Sequence, residues 1–354
     1  MTLKIIPKTE LPNWIEKLHQ EYRVIGPAPV QQHFAFKEVT SFSEMDLGYC
    51  TTILPPKKAL SPQYEELMTF NNSENRTEAV IDDTPTVLFG VHTCDLHAIN
   101  FLDTVFQRDY ADQHYFSRRK NTVIVSIECL EPCTEYSFCK DMGTYTAPAE
   151  LDLHMVDIGD AYALNVGSEY GEKLLNGIER VHMAADKDEK QLNRVLRNKW
   201  PRFTYHLHAD ITELPGLMGS SYKSPIWEDL GKRCLGCGSC TLVCPTCYCF
   251  DMVDEADFAG NSGNRCRVWD SCQLNQFASV AGGHDFRPGQ ANRQRHRFFR
   301  KYKYQSFAPS LLGCVGCGRC SSACLVDITP VDTLNKLFHR RVAAKHTRQE
   351  VVAQ

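Results

Sequence analysis

The polar and apolar residues in the first two thirds of the chain change repeatedly between helical and strand-like spacing. The segment NWIEKLHQEY places Trp14, Leu18 and Tyr22 on one face of a predicted helix. A second helix, with a polar face, is predicted at KDEKQLNRVLRNKW. The segment SPQYEELMTF also predicts a helix, because Ser61 stands before a proline in the position that favours helix initiation.

Two short apolar runs lie in the middle of this region, TVLFGV at 86–91 and NTVIVSI at 121–127. Runs of this length and composition are typical of buried strands. Between them, DLHAINFLDTVF has helical periodicity and begins with an aspartate. Strand–helix–strand order favours a largely parallel sheet covered by helices. We therefore predict an α/β domain over residues 1–222.

The pattern changes after residue 222. Periodic segments become rarer, while cysteine, glycine and arginine become more frequent. The segments NSGN, AGGHD and RPGQANRQRH are typical of loops. We predict a second, ferredoxin-like domain over residues 223–340, interrupted by a long insertion at 245–313 and followed by a tail at 341–354.

Composition excludes several classes of protein. The net charge of −4 gives no basic footprint for a nucleic-acid partner. The N-terminal segment lacks the pattern of a secretory signal, and no apolar run is long enough to span a bilayer. We expect a cytoplasmic protein without a membrane span.

Cysteine is the unusual residue, with 17 in the chain and twelve of these from residue 234 onward. Disulfide scaffolds are mostly short secreted chains, so the count favours metal or cluster ligation. CLGCGSCTLVC at 234–244 and CVGCGRCSSAC at 314–324 both read C-x2-C-x2-C-x3-C. This spacing is typical of [4Fe–4S] ligation, whereas zinc motifs present two cysteine pairs.

In two-cluster ferredoxins the fourth cysteine of each run binds the other cluster. The first of two [4Fe–4S] clusters is therefore predicted to be bound by Cys234, Cys237, Cys240 and Cys324. The second is predicted to be bound by Cys314, Cys317, Cys320 and Cys244.

A separate upstream group consists of Cys94, Cys129, Cys133 and Cys139. Cys94 and Cys129 follow the two predicted strands, and parallel neighbours would bring both to the carboxyl edge where open α/β sheets place ligands. A third cluster is predicted here, with His92 as a candidate substitute ligand. The alternatives are a zinc site and buried cysteines that act as small apolar side chains.

The predicted insertion carries four more cysteines, Cys247, Cys249, Cys266 and Cys272. They are candidates for an additional metal site, or for side chains that surround the clusters and tune their potential. Cys50 is predicted to be structural.

The basic and aromatic segment RQRHRFFRKYKY, at 293–304, has three interpretations. It is a docking face for a partner subunit, a solvated helix face, or a site for single-stranded nucleic acid. No glycine-rich dinucleotide motif, P-loop or Ser–His–Asp order is present, so the chain is predicted to contain no catalytic residues and no flavin or nucleotide pocket.

Several segments together resemble a known family. CLGCGSCTLVCPTCYCFD, WDSC and CVGCGRCSSAC, with upstream GVHTCDLHAI and RRKNTVIVSIEC, resemble the iron–sulfur beta subunit of soluble sulfhydrogenases. These enzymes are nickel–iron hydrogenases coupled to NAD(P) or sulfur. The segments are also similar to the A-type subunit of anaerobic sulfite reductase. The resemblance spans roughly residues 85–330, and it departs from the family at Ser137, where the family has a cysteine.

The resemblance implies an electron-transfer subunit that makes no bonds itself. In such complexes the subunit passes single electrons between a flavin- and NAD(P)-binding subunit and a nickel–iron hydrogenase subunit. The A-type subunit of an anaerobic sulfite reductase is the alternative within this class. An iron–sulfur redox-sensing regulator and a zinc-stabilised scaffold are the alternatives from other classes.

Overall fold

The computed structural model describes residues 2–308 and 311–352, and it describes side chains over 3–307 and 312–344. The chain divides into two compact units that do not follow sequence order. The first unit consists of the described residues up to Cys133, Thr144–Arg202 and Phe250–Trp269. The second consists of Thr134–Gly143, Phe203–Cys249 and the described residues from Asp270 onward. The domain boundaries predicted at residues 222 and 340 stay predictions.

The first unit is built on two β-sheets. Its strands are β1 (Thr2–Pro7), β2 (Arg23–Val30), β3 (His33–Glu38), β4 (Tyr64–Asn71), β5 (Arg76–Ala79), β6 (Thr86–His92), β7 (Thr122–Ile127), β8 (Leu153–Asp157), β9 (Ala161–Val166), β10 (His182–Met183), β11 (Phe250–Ala256) and β12 (Ser262–Trp269). The larger sheet has the order β10-β1-β9-β8-β7-β6-β2-β3. Strands β2, β6, β7 and β8 are parallel neighbours, and the flanking pairs are antiparallel. The sheet is therefore mixed, and the prediction of a largely parallel sheet holds only at its centre.

The α-helices that the structure describes in this unit are α1 (Leu11–Glu21), α2 (Thr93–Gln107), α3 (Gln113–Lys120), α4 (Glu169–Lys173) and α5 (Asp186–Lys199). The predicted helical face of α1 is confirmed, because Trp14 and Leu18 are buried in the main core. The Trp14 ring meets Phe89 of β6 edge to face at a centroid distance of 5.1 Å. Its indole N–H donates to the carbonyl oxygen of Leu174 at 2.7 Å. The predicted strands β6 and β7 and the helix α2 between them are also confirmed.

The helix predicted at SPQYEELMTF is wrong, since this segment forms strand β4. Strand β4 lies between β12 and β5 in the second, antiparallel sheet of order β11-β12-β4-β5. Its Glu65 side chain is 1% exposed and forms ion pairs with Arg118 and Arg267. The local residues are good helix formers, but a buried carboxylate needs partners, and here the neighbouring strand β12 supplies Arg267 while helix α3 supplies Arg118.

The second unit is mainly helical and contains α6 (Leu214–Ser220), α7 (Ile226–Arg233), α8 (Ser239–Leu242), α9 (Gln290–Phe299), α10 (Arg319–Ser322), α11 (Pro330–Val352) and the short strands β13 (Ser306–Ala308) and β14 (Leu311–Leu312). Its core contains Trp227, Phe298 and Tyr302. Helix α9 occupies a segment predicted as loop, and a π-helical turn, Arg300–Tyr304, follows it. Among the described residues, no helix combines the length and the apolar character that crossing a bilayer requires.

Candidate iron–sulfur sites

The two cysteine runs fold in the same way. Gly238 and Gly318 both have φ = 78°, and each is followed by a four-residue helix, α8 in the first run and α10 in the second. This left-handed conformation favours glycine, because other residues strain there. In each run the amide two residues beyond the first cysteine donates to that cysteine's sulfur, at 3.4 and 3.5 Å. The equal spacing in the sequence therefore corresponds to equal backbone geometry.

The two runs are also placed head to tail. At the start of the first run, Arg233 Nη1 donates to the carbonyl oxygen of Val326, just past the end of the second run, at 3.1 Å. At the other end, Thr246 Oγ1 donates to the carbonyl oxygen of Gly313, just before the second run, at 2.7 Å. The end of each run thus lies beside the beginning of the other.

The thiols of the two runs influence one another. Burial raises the pKa of Cys240 to about 12 and that of Cys314 to about 11. The Cys244 sulfur also raises the pKa of Cys314 and of Cys320, which places it near these two cysteines of the other run. Iron is bound by thiolates, so cluster assembly must release the protons that burial retains.

Two cations are buried among these sulfurs. Arg297 of α9 is 6% exposed, and Lys301, four residues further on, is 8% exposed. Burial opposes their charge, but the thiols of Cys240 and Cys320 raise the pKa of Arg297, and Cys244 and Cys247 raise that of Lys301. Within the described part of the chain, Arg297 Nη1 has no hydrogen-bond partner. Because one buried N–H group of this guanidinium stays unsatisfied beside the thiols, the site fits a further anionic group such as a thiolate-bound cluster.

Neutral donors point at the sulfurs as well. Gln294 Nε2 lies 3.0 Å from Cys234 Sγ, and the Tyr302 hydroxyl lies 3.3 Å from Cys314 Sγ. The Ile328 amide donates to Cys324 Sγ at 3.3 Å. Hydrogen bonds to cluster sulfurs influence reduction potential, so these groups are suited to tuning.

For the segment 293–304, one of the three interpretations is wrong, whereas the docking-face and nucleic-acid interpretations stay predictions. The segment does not form a solvated face, because Arg297, Phe298 and Tyr302 are all buried within the second unit. The cations and hydrogen-bond donors of this segment were not among the functional residues predicted from the sequence. The available signal was the spacing of Arg297 and Lys301, which puts both charges on one helical face.

The cysteines of the predicted insertion are divided between the units. Cys266 belongs to the first unit, where the Tyr64 hydroxyl lies 3.0 Å from its sulfur. Cys247 and Cys249 belong to the second unit, and so does Cys272, whose pKa falls to about 6 because Cys249 donates a hydrogen bond to it. Their predicted metal site stays a prediction.

The upstream cysteines are divided too. Cys139 belongs to the second unit, where the amide of the preceding residue donates to the Gly316 carbonyl oxygen at 2.8 Å. In the first unit, His92 ends strand β6, and its Nδ1 lies 3.4 Å from Cys133 Sγ. A hydrogen bond from Cys133, opposed by burial and assisted by His92, lowers the pKa of Cys129 well below its ordinary value.

The structure thus brings His92, Cys129 and Cys133 together, with their ligand atoms all within 4.8 Å of one another. Cys94 is buried in the first turn of α2 and is not a member of this group. Cys50, predicted to be structural, is exposed and lines the same cavity as these three residues.

The doubled run, its repeated glycine geometry and its buried cations define an iron–sulfur protein with a dicluster domain. Residues 233–328 match the family described as "4Fe-4S dicluster domain". The chain is 34% identical over 327 residues to "Sulfhydrogenase 2 subunit beta" of Pyrococcus furiosus, an alignment that covers 92% of this chain and 95% of that protein. The chain belongs to the family of sulfhydrogenase beta subunits, as the sequence resemblance predicted. No solved structure was found to match it.

Proposed function

We propose that this protein is the electron-transfer subunit of a cytoplasmic hydrogenase complex. It receives and passes single electrons through [4Fe–4S] clusters, between a flavin- and NAD(P)-binding subunit and a nickel–iron catalytic subunit. The relative from Pyrococcus furiosus, described as a sulfhydrogenase subunit, supports this role. The observation that carries the proposal is the head-to-tail pairing of two equivalent cysteine runs around buried cations.

The proposed ligation is crossed. Three cysteines of each run hold one cluster, and the fourth, Cys244 or Cys324, reaches the other cluster. Two contacts support this assignment, Arg233 with Val326 and Thr246 with Gly313, because each brings the last cysteine of one run to the first of the other. The influence of Cys244 on Cys314 supports it as well. Crossed ligation keeps the two clusters adjacent, which electron hopping requires.

When bound, the clusters supply the one-electron redox chemistry. The protein offsets their charge, donates hydrogen bonds to their ligands and excludes water. Arg297 and Lys301 offset the negative charge of the clusters, and Gln294 and Tyr302 donate to their sulfur ligands. The core around Trp227 excludes water from the same region. We assign these cations to the predicted insertion at 245–313, which on this view supplies the electrostatic lining of the clusters. No catalytic residue is proposed.

The number of clusters is tested by anaerobic analysis of the purified chain for iron and acid-labile sulfide. Two cubanes predict about 8 iron atoms per chain, and a third cluster at Cys94, Cys129, Cys133 and Cys139 predicts about 12. The third cluster stays a prediction from the sequence. A colourless chain without labile sulfide would falsify the electron-transfer role.

The partners are tested by affinity purification of the tagged chain under anaerobic conditions. Co-purification of a flavoprotein and a nickel-containing subunit is expected. Reduction of the clusters by NAD(P)H should then require the flavoprotein. Direct reduction of the isolated chain by NAD(P)H would contradict the prediction that this chain has no flavin or nucleotide pocket.

A further inference from the structure

The site formed by His92, Cys129 and Cys133 differs from the cysteine runs in the distances between its ligand atoms. Among the histidine, cysteine and acidic side chains in the described ranges, only this group brings three ligand atoms within 4.8 Å of one another. Thiolates that hold a cubane stand further apart, because each of them binds a different iron. The close spacing instead matches the ligands of a single ion.

We propose that His92, Cys129 and Cys133 bind one zinc ion at the carboxyl edge of the parallel strands in the first unit. This centre uses His92 where the predicted third cluster used Cys94 and Cys139, and it holds one ion in place of four irons. It is independent of the electron-transfer role proposed for the dicluster domain.

The distance within the group agrees with tetrahedral zinc. Zinc binds cysteine sulfur at about 2.3 Å and histidine nitrogen at about 2.0–2.1 Å, so a tetrahedral site separates these two ligand atoms by about 3.5 Å. The distance between His92 Nδ1 and Cys133 Sγ is 3.4 Å. Two thiolates and an imidazole are also the donor types that zinc prefers over oxygen ligands.

The fold holds these ligands in place. Residue His92 pairs with Ile127 across the parallel strands β6 and β7, and a bulge at Gly90 shifts the register of β6 just before the histidine. A bulge of this kind re-aims the side chains that follow it. The imidazole is stacked on the Tyr49 ring, with a centroid distance of 4.1 Å and an angle of 7° between planes. The Tyr49 hydroxyl in turn donates to the Gly90 carbonyl oxygen at 2.8 Å.

The remaining coordination position faces a cavity of about 260 Å³. Cys50, Glu131 and Tyr162 are among the residues that line this cavity together with the three ligands. His92 is 5% exposed and Cys129 is 7% exposed, so protein covers the ligands on their other sides. Three protein ligands with a fourth, open position are typical of zinc sites that bind a water molecule or a small ligand.

The test is elemental analysis of the anaerobically purified full-length chain for zinc and iron. We expect about one zinc per chain in the wild type, and its loss in His92→Ala and in Cys129→Ser with no change in iron. His92→Cys should retain the ion, because it replaces one zinc ligand by another. The matched control is Cys94→Ser, which should keep both the zinc and the iron.

Loss of about four irons in Cys129→Ser, or in Cys94→Ser, would show a cluster at this position and overturn the proposal. A wild-type chain without zinc at this site would overturn it too, and one mononuclear iron in place of zinc would overturn the assignment to zinc. If His92→Ala does not fold, alkylation of the wild type decides the question. Cys129 and Cys133 should be protected from alkylation until a zinc chelator is added, and reactivity that does not depend on the chelator contradicts the proposal.

Discussion

The two cysteine-rich regions of this protein are built in different ways. In the second unit, two runs of fixed spacing each carry their own left-handed glycine and their own helix. In the first unit, His92, Cys129 and Cys133 come from the end of one strand and from the loop after its neighbour. The first kind of site is visible in a single stretch of sequence. The second exists only once the strand order brings distant residues together, so its ligands cannot be identified from spacing alone.

Replacing Cys244 by serine should have the largest effect on the dicluster site. Because crossed ligation assigns this thiolate to the cluster held by the second run, about four irons should be lost. Addition of Cys317→Ser should then remove no further iron, whereas addition of Cys237→Ser should remove about four more. Iron analysis and low-temperature electron paramagnetic resonance measure both outcomes. The opposite pattern would show that each run holds its own fourth ligand.

Replacing Glu65 by glutamine should destabilise the first unit without affecting the clusters. The substitution removes the carboxylate that Arg118 and Arg267 share, and because each arginine keeps one other partner, Asp82 or Asp112, the cost is at most about 3–5 kcal/mol. The matched control is Glu78→Gln, since the Glu78–Arg76 ion pair is exposed and contributes less than about 1 kcal/mol. Calorimetry should show a lower melting temperature for the Glu65 variant with unchanged iron content. Loss of iron would mean that the two units depend on one another.

Replacing Gly238 and Gly318 by alanine should show whether the two runs tolerate a side chain equally well at their left-handed glycine. The conformation alone costs about 1–2 kcal/mol in each case. Gly318→Ala should cost more than Gly238→Ala, because its Cβ would lie 2.9 Å from the Tyr136 backbone, whereas that of Gly238 meets the Ser271 side chain at 3.0 Å. Gly216→Ala is the control, as nothing lies within 4 Å and alanine favours helix α6 by about 1 kcal/mol. Equal unfolding free energies for all three variants would contradict the assigned geometry.

Replacing Arg297 by glutamine should have the smallest effect, a shift in potential. Loss of a buried positive charge disfavours the reduced, more negative cluster, so the potential should fall by on the order of 60 mV for each ~1.4 kcal/mol of lost interaction. The control is Arg295→Gln, since this neighbour is partly exposed and stacks on Tyr222. Redox titration followed by electron paramagnetic resonance measures the shift. A potential that rises, or that shifts equally in both variants, would contradict a specific role for Arg297.

Much of this architecture could be predicted from local pattern. The α1 face, the strands β6 and β7 and the repeated cysteine runs all depend on residues close together in the chain. Strand β4 could not be predicted in this way, because Glu65 is stabilised by arginines from distant segments. Strand β1 was missed for a similar reason, because its partners β9 and β10 lie far along the chain. The pairs β2–β3 and β8–β9 are local hairpins, which the pattern of residues did not reveal.

The segment after residue 290 shows a different limit on what the sequence can predict. Its mixture of arginine, lysine and aromatic residues is typical of surfaces, and sequence patterns assume that charges face water. Here the partners of Arg297 and Lys301 are sulfurs from two other segments. The spacing of these two residues places both charges on one helical face, but it does not reveal that their partners are sulfurs. His92 was considered only as a substitute ligand, since a single histidine after a strand gives no spacing signal.

The two buried cations, one helical turn apart, also connect maturation with folding. In a newly made chain that lacks its clusters, these two buried charges are offset only in part by nearby sulfurs such as that of Cys272, which disfavours closure of helix α9 over the sulfurs. Binding of the iron–sulfur clusters supplies the negative charge that Arg297 and Lys301 lack. The chain without clusters should therefore stay accessible to the proteins that assemble the clusters, and to proteases, until cluster binding fixes the position of helix α9.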